Sequence, residues 1–146
     1  MNAFWLSHHP PSEWSRTLLV GGVRVCARCL GTYPVLFAAL AAQGVLRAPP
    51  ERAGEWRVGV GLLLPALADW SVGRLAPGSG SNAGRLLTGA LLGLGLGRAL
   101  YLHVAVRPFP SVLLWQLGLS LAVAVPVWIY SAARRKDLSP PPRVGG

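Results

Sequence analysis

Acidic residues are scarce in this chain: five Asp and Glu stand among 146 residues, against fourteen Lys and Arg. Charge of either sign is thin, at 13% of the sequence, where a soluble domain carries roughly 25%. That deficit argues against a soluble enzyme. With 52% apolar residues and a mean hydropathy of +0.44, it also argues against disorder, which needs low hydrophobicity and high charge. Cysteine is limited to Cys26 and Cys29, so a second thiol pair for an electron relay is missing. No repeat of solenoid length is visible. No strand followed by G-x-G-x-x-G supports a nucleotide loop in the Gly-rich stretch 89–97. The N-terminus lacks a basic start and a long apolar run, and meets His8, His9 and two prolines by position 11, unlike a signal peptide.

What the chain does have is long apolar runs. Residues 29–46 and 108–133 carry no charge, 58–73 carry only Asp69, and 86–106 carry Arg98 and His103. A spanning helix needs about 20 mostly apolar residues; the last two runs reach that length, and the first two reach it with their flanks. The reading is an all-α integral membrane bundle of about four transmembrane helices. Its parts are an N-terminal His/Cys segment at the membrane surface (1–29), a transmembrane domain (30–133) and a basic, Pro-rich tail (134–146). Pro- and Gly-bearing connectors at 48–56, 74–82 and 107–110 separate the runs.

The net charge of +9 would suggest nucleic-acid binding in a soluble chain. Here the arginines punctuate apolar runs, which fits helix orientation in a bilayer and no nucleic-acid partner. In a four-span arrangement Arg16, Arg24, Arg28, Arg74, Arg85, Arg134, Arg135, Lys136 and Arg143 share one side. Arg47, Arg52, Arg57, Arg98 and Arg107 share the other. The positive-inside bias then predicts a multi-pass protein of the cell membrane with both termini cytoplasmic.

The segment 7–34 (SHHPPSEWSRTLLVGGVRVCARCLGTYP) is the most distinctive. Cys26 and Cys29 form C-x-x-C, which aims two thiolates at one ion, as in half of a tetrahedral zinc site. His8 and His9 precede them, with two prolines and a Gly21-Gly22 turn to fold the segment back. His8, His9, Cys26 and Cys29 are therefore the expected metal ligands, for Zn²⁺ first, although Fe and Cu(I) fit the same donors. A buried or redox-active dithiol is the plainer alternative. Asp69, an acid inside an apolar run, is a functional candidate by default, and the plain reading of it is an Asp69–Arg85 ion pair joining two helices. Ser81 or Asn82 is the expected N-cap of the third helix, followed by Arg85 and Thr88. The topology gathers the His/Cys segment, Asp69, Ser81, Asn82 and Arg85 at one membrane face. Gly89, Gly93 and Gly97 continue a four-residue stripe from Ser81 and Arg85, a surface for close helix packing within the chain or in a homo-oligomer. Arg98 is expected to snorkel to the opposite interface, and the tryptophans to serve interfacial belts and lipid packing.

The run H-H-P-P…R-T…G-G…V-C-A-R-C-L-G-T-Y resembles a domain-of-unknown-function family of small bacterial and archaeal membrane proteins. The resemblance covers residues 8–97 and extends to Asp69 and to S-N-A-G-R-L-L-T-G at 81–89. It implies a membrane protein and no particular activity. The function expected from the residues is a membrane metalloprotein with a zinc-like site at the cytoplasmic face. That site is either structural, or catalytic on a lipid or other amphipathic substrate with Asp69 as base and Arg85 as anion clamp. A membrane thiol-disulfide oxidoreductase or a metal carrier are the alternatives.

Overall fold

The computed structural model describes residues 11–49, 55–105 and 110–137. A short 3₁₀ segment, Pro11–Arg16, leads into strands β1 (Thr17–Val20) and β2 (Val23–Cys26). Four long helices follow: α1 (Ala27–Val45), α2 (Glu55–Leu75), α3 (Asn82–Ala105) and α4 (Pro110–Asp137). The four helices coincide with the four apolar runs. Three of them hold a stretch long and apolar enough to cross a membrane: Arg57–Leu75, Asn82–Val104 and Val112–Arg134. Only 11% of the α4 stretch is buried, and Leu114, Trp115, Leu121, Trp128 and Ile129 all lie exposed along it. An apolar surface of that extent marks contact with lipid or another apolar partner.

Among the described residues the hairpin is the departure from an all-helical chain. β1 and β2 pair antiparallel, with Thr17 opposite Cys26 and Val20 opposite Val23. Gly21 and Gly22 make the connection at φ +57° and +80°. Two successive positive-φ residues define the tight turn whose twist matches that of the strands, and glycine supplies them without steric cost.

α3 is the centre of the bundle. It packs most extensively on α1 and next on α2, while α4 leans on α2 and barely touches α3. Along α1 and α3 the contacts rise together, from Gly89 against Arg28 to Gly97 against Leu36, so these two helices run parallel. Gly59 at the start of α2 meets Val112 and Gln116 at the start of α4, and Arg134 reaches the Leu75 carbonyl, so α2 and α4 run parallel as well. The glycine stripe works within the chain. A Cβ at Gly89 would lie 2.4 Å from the Arg28 carbonyl oxygen, and one at Gly93 2.4 Å from that of Thr32. Of the two partners the stripe Gly89, Gly93 and Gly97 allowed, a helix of the same chain or of a second copy, α1 of the same chain lies against it.

At the end of the bundle far from the hairpin, Arg98 does not snorkel free. Its Nε donates to Glu55 Oε2 at 3.0 Å, Nη1 to Gln43 Oε1 at 3.0 Å and Nη2 to the Pro49 carbonyl at 2.9 Å. One guanidinium therefore ties α1, α2 and α3 together. α1 ends within this network, with Arg47 in the left-handed region (φ +47°) and Arg47 and Ala48 N–H groups closing on Gly44 and Gln43 carbonyls, a Schellman-type ending.

Candidate functional site

The hairpin is pinned to the ends of α2 and α3. Asn82 Nδ2 donates to the Thr17 carbonyl at 3.3 Å, and Arg16 Nη2 to the Gly73 carbonyl at 3.0 Å. Thr17 is buried and Arg24 lies 4.5 Å over the Trp14 ring, so the segment is held by packing as well as by hydrogen bonds. This docking fixes Cys26, the last residue of β2, directly at the N-cap position of α1. Cys29 follows in the first helical turn. Cys26 is buried and Cys29 half-buried, and both are free thiols. Burial first, and then the neighbouring Cys26, push the Cys29 thiol up to about 11, with Arg28 pulling weakly the other way.

Beside the two thiols lies a cavity of about 300 Å³. Glu13, Arg16, Cys26, Arg28, Cys29, Trp70, Gly73, Arg74 and Arg85 line it. Four arginines share this wall with Glu13, and Asp69 stands behind it, paired with Arg28. Arg16 lies 3.6 Å from Glu13. Arg74 sits 5.7 Å over the Trp70 ring. Arg85, although buried, spends its donors on Asn82 Oδ1 at 3.2 Å and the Ser79 carbonyl at 2.7 Å.

The partner of Asp69 is not Arg85 but Arg28. Arg28 Nη2 donates to Asp69 Oδ2 in an ion pair, and Thr88 Oγ1 lies 3.4 Å from the same oxygen. The reason is geometric: α1 lies tight on the glycines of α3, which carries Arg28, next to Cys29, onto the carboxylate, while Arg85 is turned back to cap the 79–82 turn. Arg28 was missed as a site residue because C-A-R-C draws attention to its thiols; an intramembrane acid in search of a counter-ion was the signal that could have found it.

The remaining expected residues fall into place unevenly. Cys26, Cys29 and Arg85 share the cavity wall, and Asp69 stands behind it through Arg28. Ser81 and Asn82 do not line the cavity. Ser81 Oγ accepts the Gly84 N–H at 3.0 Å as the N-cap of α3, and Asn82 is the clasp between hairpin and helix. His8 and His9 lie outside the described residues. Among the described residues no group of three or more His, Cys, Asp or Glu is placed to hold a metal ion.

Fold and site together define a helical membrane-type bundle with a thiol- and arginine-lined cavity at one end. The family described as predicted membrane protein (DUF2085) matches residues 9–99, more than half of the chain. The chain belongs to that family, whose function is unknown, and the match takes in the hairpin, both cysteines, Asp69 and the glycine stripe. No curated protein and no solved structure matches the chain.

Proposed function

We propose that this is a four-span membrane protein that receives an anionic, amphipathic ligand in the arginine-lined cavity. The observation that carries the reading is the convergence of Arg16, Arg28, Arg74 and Arg85 on one space of about 300 Å³. Among the described residues Glu13 and Asp69 are the acids paired with these arginines, so two acids stand against four cations. A phosphate-like group matches the planar, forked donors of arginine. The test is titration of the detergent-purified protein with inorganic phosphate. Saturable binding is expected. Arg74→Ala should weaken it by about 10-fold, in line with the loss of one charge-assisted hydrogen bond of about 1.5 kcal/mol; unchanged affinity would count against the cavity.

The two sulfurs favour a second component, a zinc ion held by Cys26 and Cys29 together with His8 or His9. His9 lies two residues before Pro11, a reach of at most about 7 Å of extended chain, and the segment that begins at Pro11 carries Glu13 to the same cavity wall as the thiols. Cys26→Ser or Cys29→Ser is expected to abolish stoichiometric zinc in elemental analysis of the purified protein. The pH dependence has a definite sign. Because the Cys29 thiol sits near 11, it is protonated at neutral pH without metal. Binding must release that proton, so apparent zinc affinity should climb as pH rises from about 6 to 9 and fall on acidification. A flat profile would remove Cys29 from the ligand set. Asp69, committed to Arg28, serves this reading as a positioning group for the guanidinium.

The orientation follows from the same charges. α1 runs parallel to α3 along its whole apolar length, which supports residues 30–46 as a fourth crossing. The cavity end then holds nine of the fourteen cations and faces the cytoplasm. A C-terminal alkaline phosphatase fusion, active only outside the cytoplasm, should be silent; an active fusion would reverse the orientation or change the span count.

A further inference from the structure

α4 leans on α2 but hardly on α3, and the space this leaves is an apolar groove of about 490 Å³. Leu92 and Leu96 of α3 form one wall, Leu117 and Ala124 of α4 the other, and Leu67 of α2 the floor. Two residues, Arg28 and Trp70, line both this groove and the arginine cavity. The groove and the arginine cavity therefore adjoin at Arg28 and Trp70. Arg28 Nε is buried and has no hydrogen-bond partner among the described residues, although Nη2 of the same side chain is engaged by Asp69. A cationic cavity side by side with an alkyl-lined trough has the two-part chemistry of one class of molecule.

We propose that the groove and the cavity together form a single site for an anionic phospholipid, its phosphate among the arginines and one acyl chain lying between α3 and α4. This rests on the anion-binding reading of the cavity and specifies its ligand. From Leu63 to Trp70 the groove follows α2 for about 10 Å at 1.5 Å per residue. Gln116 lines the far end of the groove; it is buried, and its Nε2 is held by the Gly59 carbonyl at 3.2 Å. The trough therefore takes the first part of a chain, with the rest passing into the bilayer. Trp70, shared by both compartments, stands at the level where a glycerol backbone would sit, a position suited to its amphipathic ring.

The experiment compares octyl phosphate, inorganic phosphate and octyl glucoside on the full chain purified in dodecyl maltoside. Octyl phosphate is expected to bind at least ~10-fold tighter than inorganic phosphate: net burial of about two of its methylenes, after competition from the detergent, supplies that factor. Octyl glucoside should not displace it. Ala124→Phe, or the milder Ser120→Leu, narrows the groove and should reduce octyl phosphate binding by ~5-fold or more while leaving inorganic phosphate unchanged. Leu121→Phe, one exposed residue along the same helix, should alter neither and controls for partition into the micelle. Equal affinity for octyl phosphate and inorganic phosphate, or indifference of octyl phosphate to both groove-filling variants, overturns the lipid site and leaves the anion cavity standing. Displacement by octyl glucoside as effective as by octyl phosphate overturns the phosphate half. Binding of neither phosphate compound overturns both readings together.

Discussion

Gly89→Ala is expected to destabilise the protein by about 3 kcal/mol, near the upper end for overpacking in a close-packed interior. The added methyl would stand 2.4 Å from the Arg28 carbonyl oxygen and 3.1 Å from Thr32 Oγ1. The first of these is backbone and cannot rotate aside, so α1 must move off α3. That movement loosens the neighbouring contacts at Gly31, whose own Cβ would lie 2.2 Å from the Leu86 carbonyl, and at Gly93. It also withdraws Arg28 from Asp69, so the variant should lose phosphate binding along with stability. Gly61→Ala is the matched control: nothing lies within 4 Å of its Cβ position, and in a helix interior the change should be neutral or stabilising by up to about 1 kcal/mol. Denaturant titration of both variants in detergent checks the contrast. A Gly89→Ala protein as stable as the Gly61→Ala protein would mean that α1 does not sit on the glycine stripe.

That stripe was legible in the sequence because small residues at every fourth position have few other uses in an apolar helix. What the spacing does not contain is the identity of the partner, and α1 fills a face that a second copy could equally have covered. The four helices were legible for a related reason. Their apolar runs are longer than any buried strand, and Ser81, at the end of a Gly/Ser turn, marks the start of α3. The hairpin escaped notice because β1 and β2 are only four residues each and abut the C-x-x-C motif. Gly21-Gly22 between Leu18-Leu19-Val20 and Val23 was nonetheless a usable turn signal. The charged partners were the least legible. Asp69 and Arg85 stand at adjacent ends of consecutive helices, so sequence proximity favours their pairing. The actual partner, Arg28, is 41 positions away and is delivered by helix packing. Arg98 gave the same lesson at the other end, where Glu55 and Gln43 hold a side chain that the sequence assigns to the interface.

The Arg28–Asp69 pair carries the other large effect. The two side chains are 24% and 17% exposed, and removing either leaves a poorly hydrated charge. Breaking a fully buried pair costs about 3–5 kcal/mol; with this much residual exposure Asp69→Leu is expected to cost about 2–3 kcal/mol. Arg28→Met should cost a similar amount. Arg28→Met combined with Asp69→Leu should recover much of the loss, because two apolar side chains replace two charges that were each other's main compensation. The double-mutant cycle therefore predicts a coupling of about 3 kcal/mol, the upper end for residues in direct contact. The corresponding cycle of Arg85→Met with Asp69→Leu should show a smaller coupling, since Arg85 gives its hydrogen bonds to Asn82 and Ser79. Function should separate from stability in these variants. Arg28→Met removes a guanidinium shared by the cavity and the groove, so the double variant, though folded, should bind octyl phosphate weakly. A cycle in which Arg85 couples to Asp69 as strongly as Arg28 does would return Asp69 to the helix-two-to-helix-three pairing and detach the carboxylate from the thiol-bearing turn.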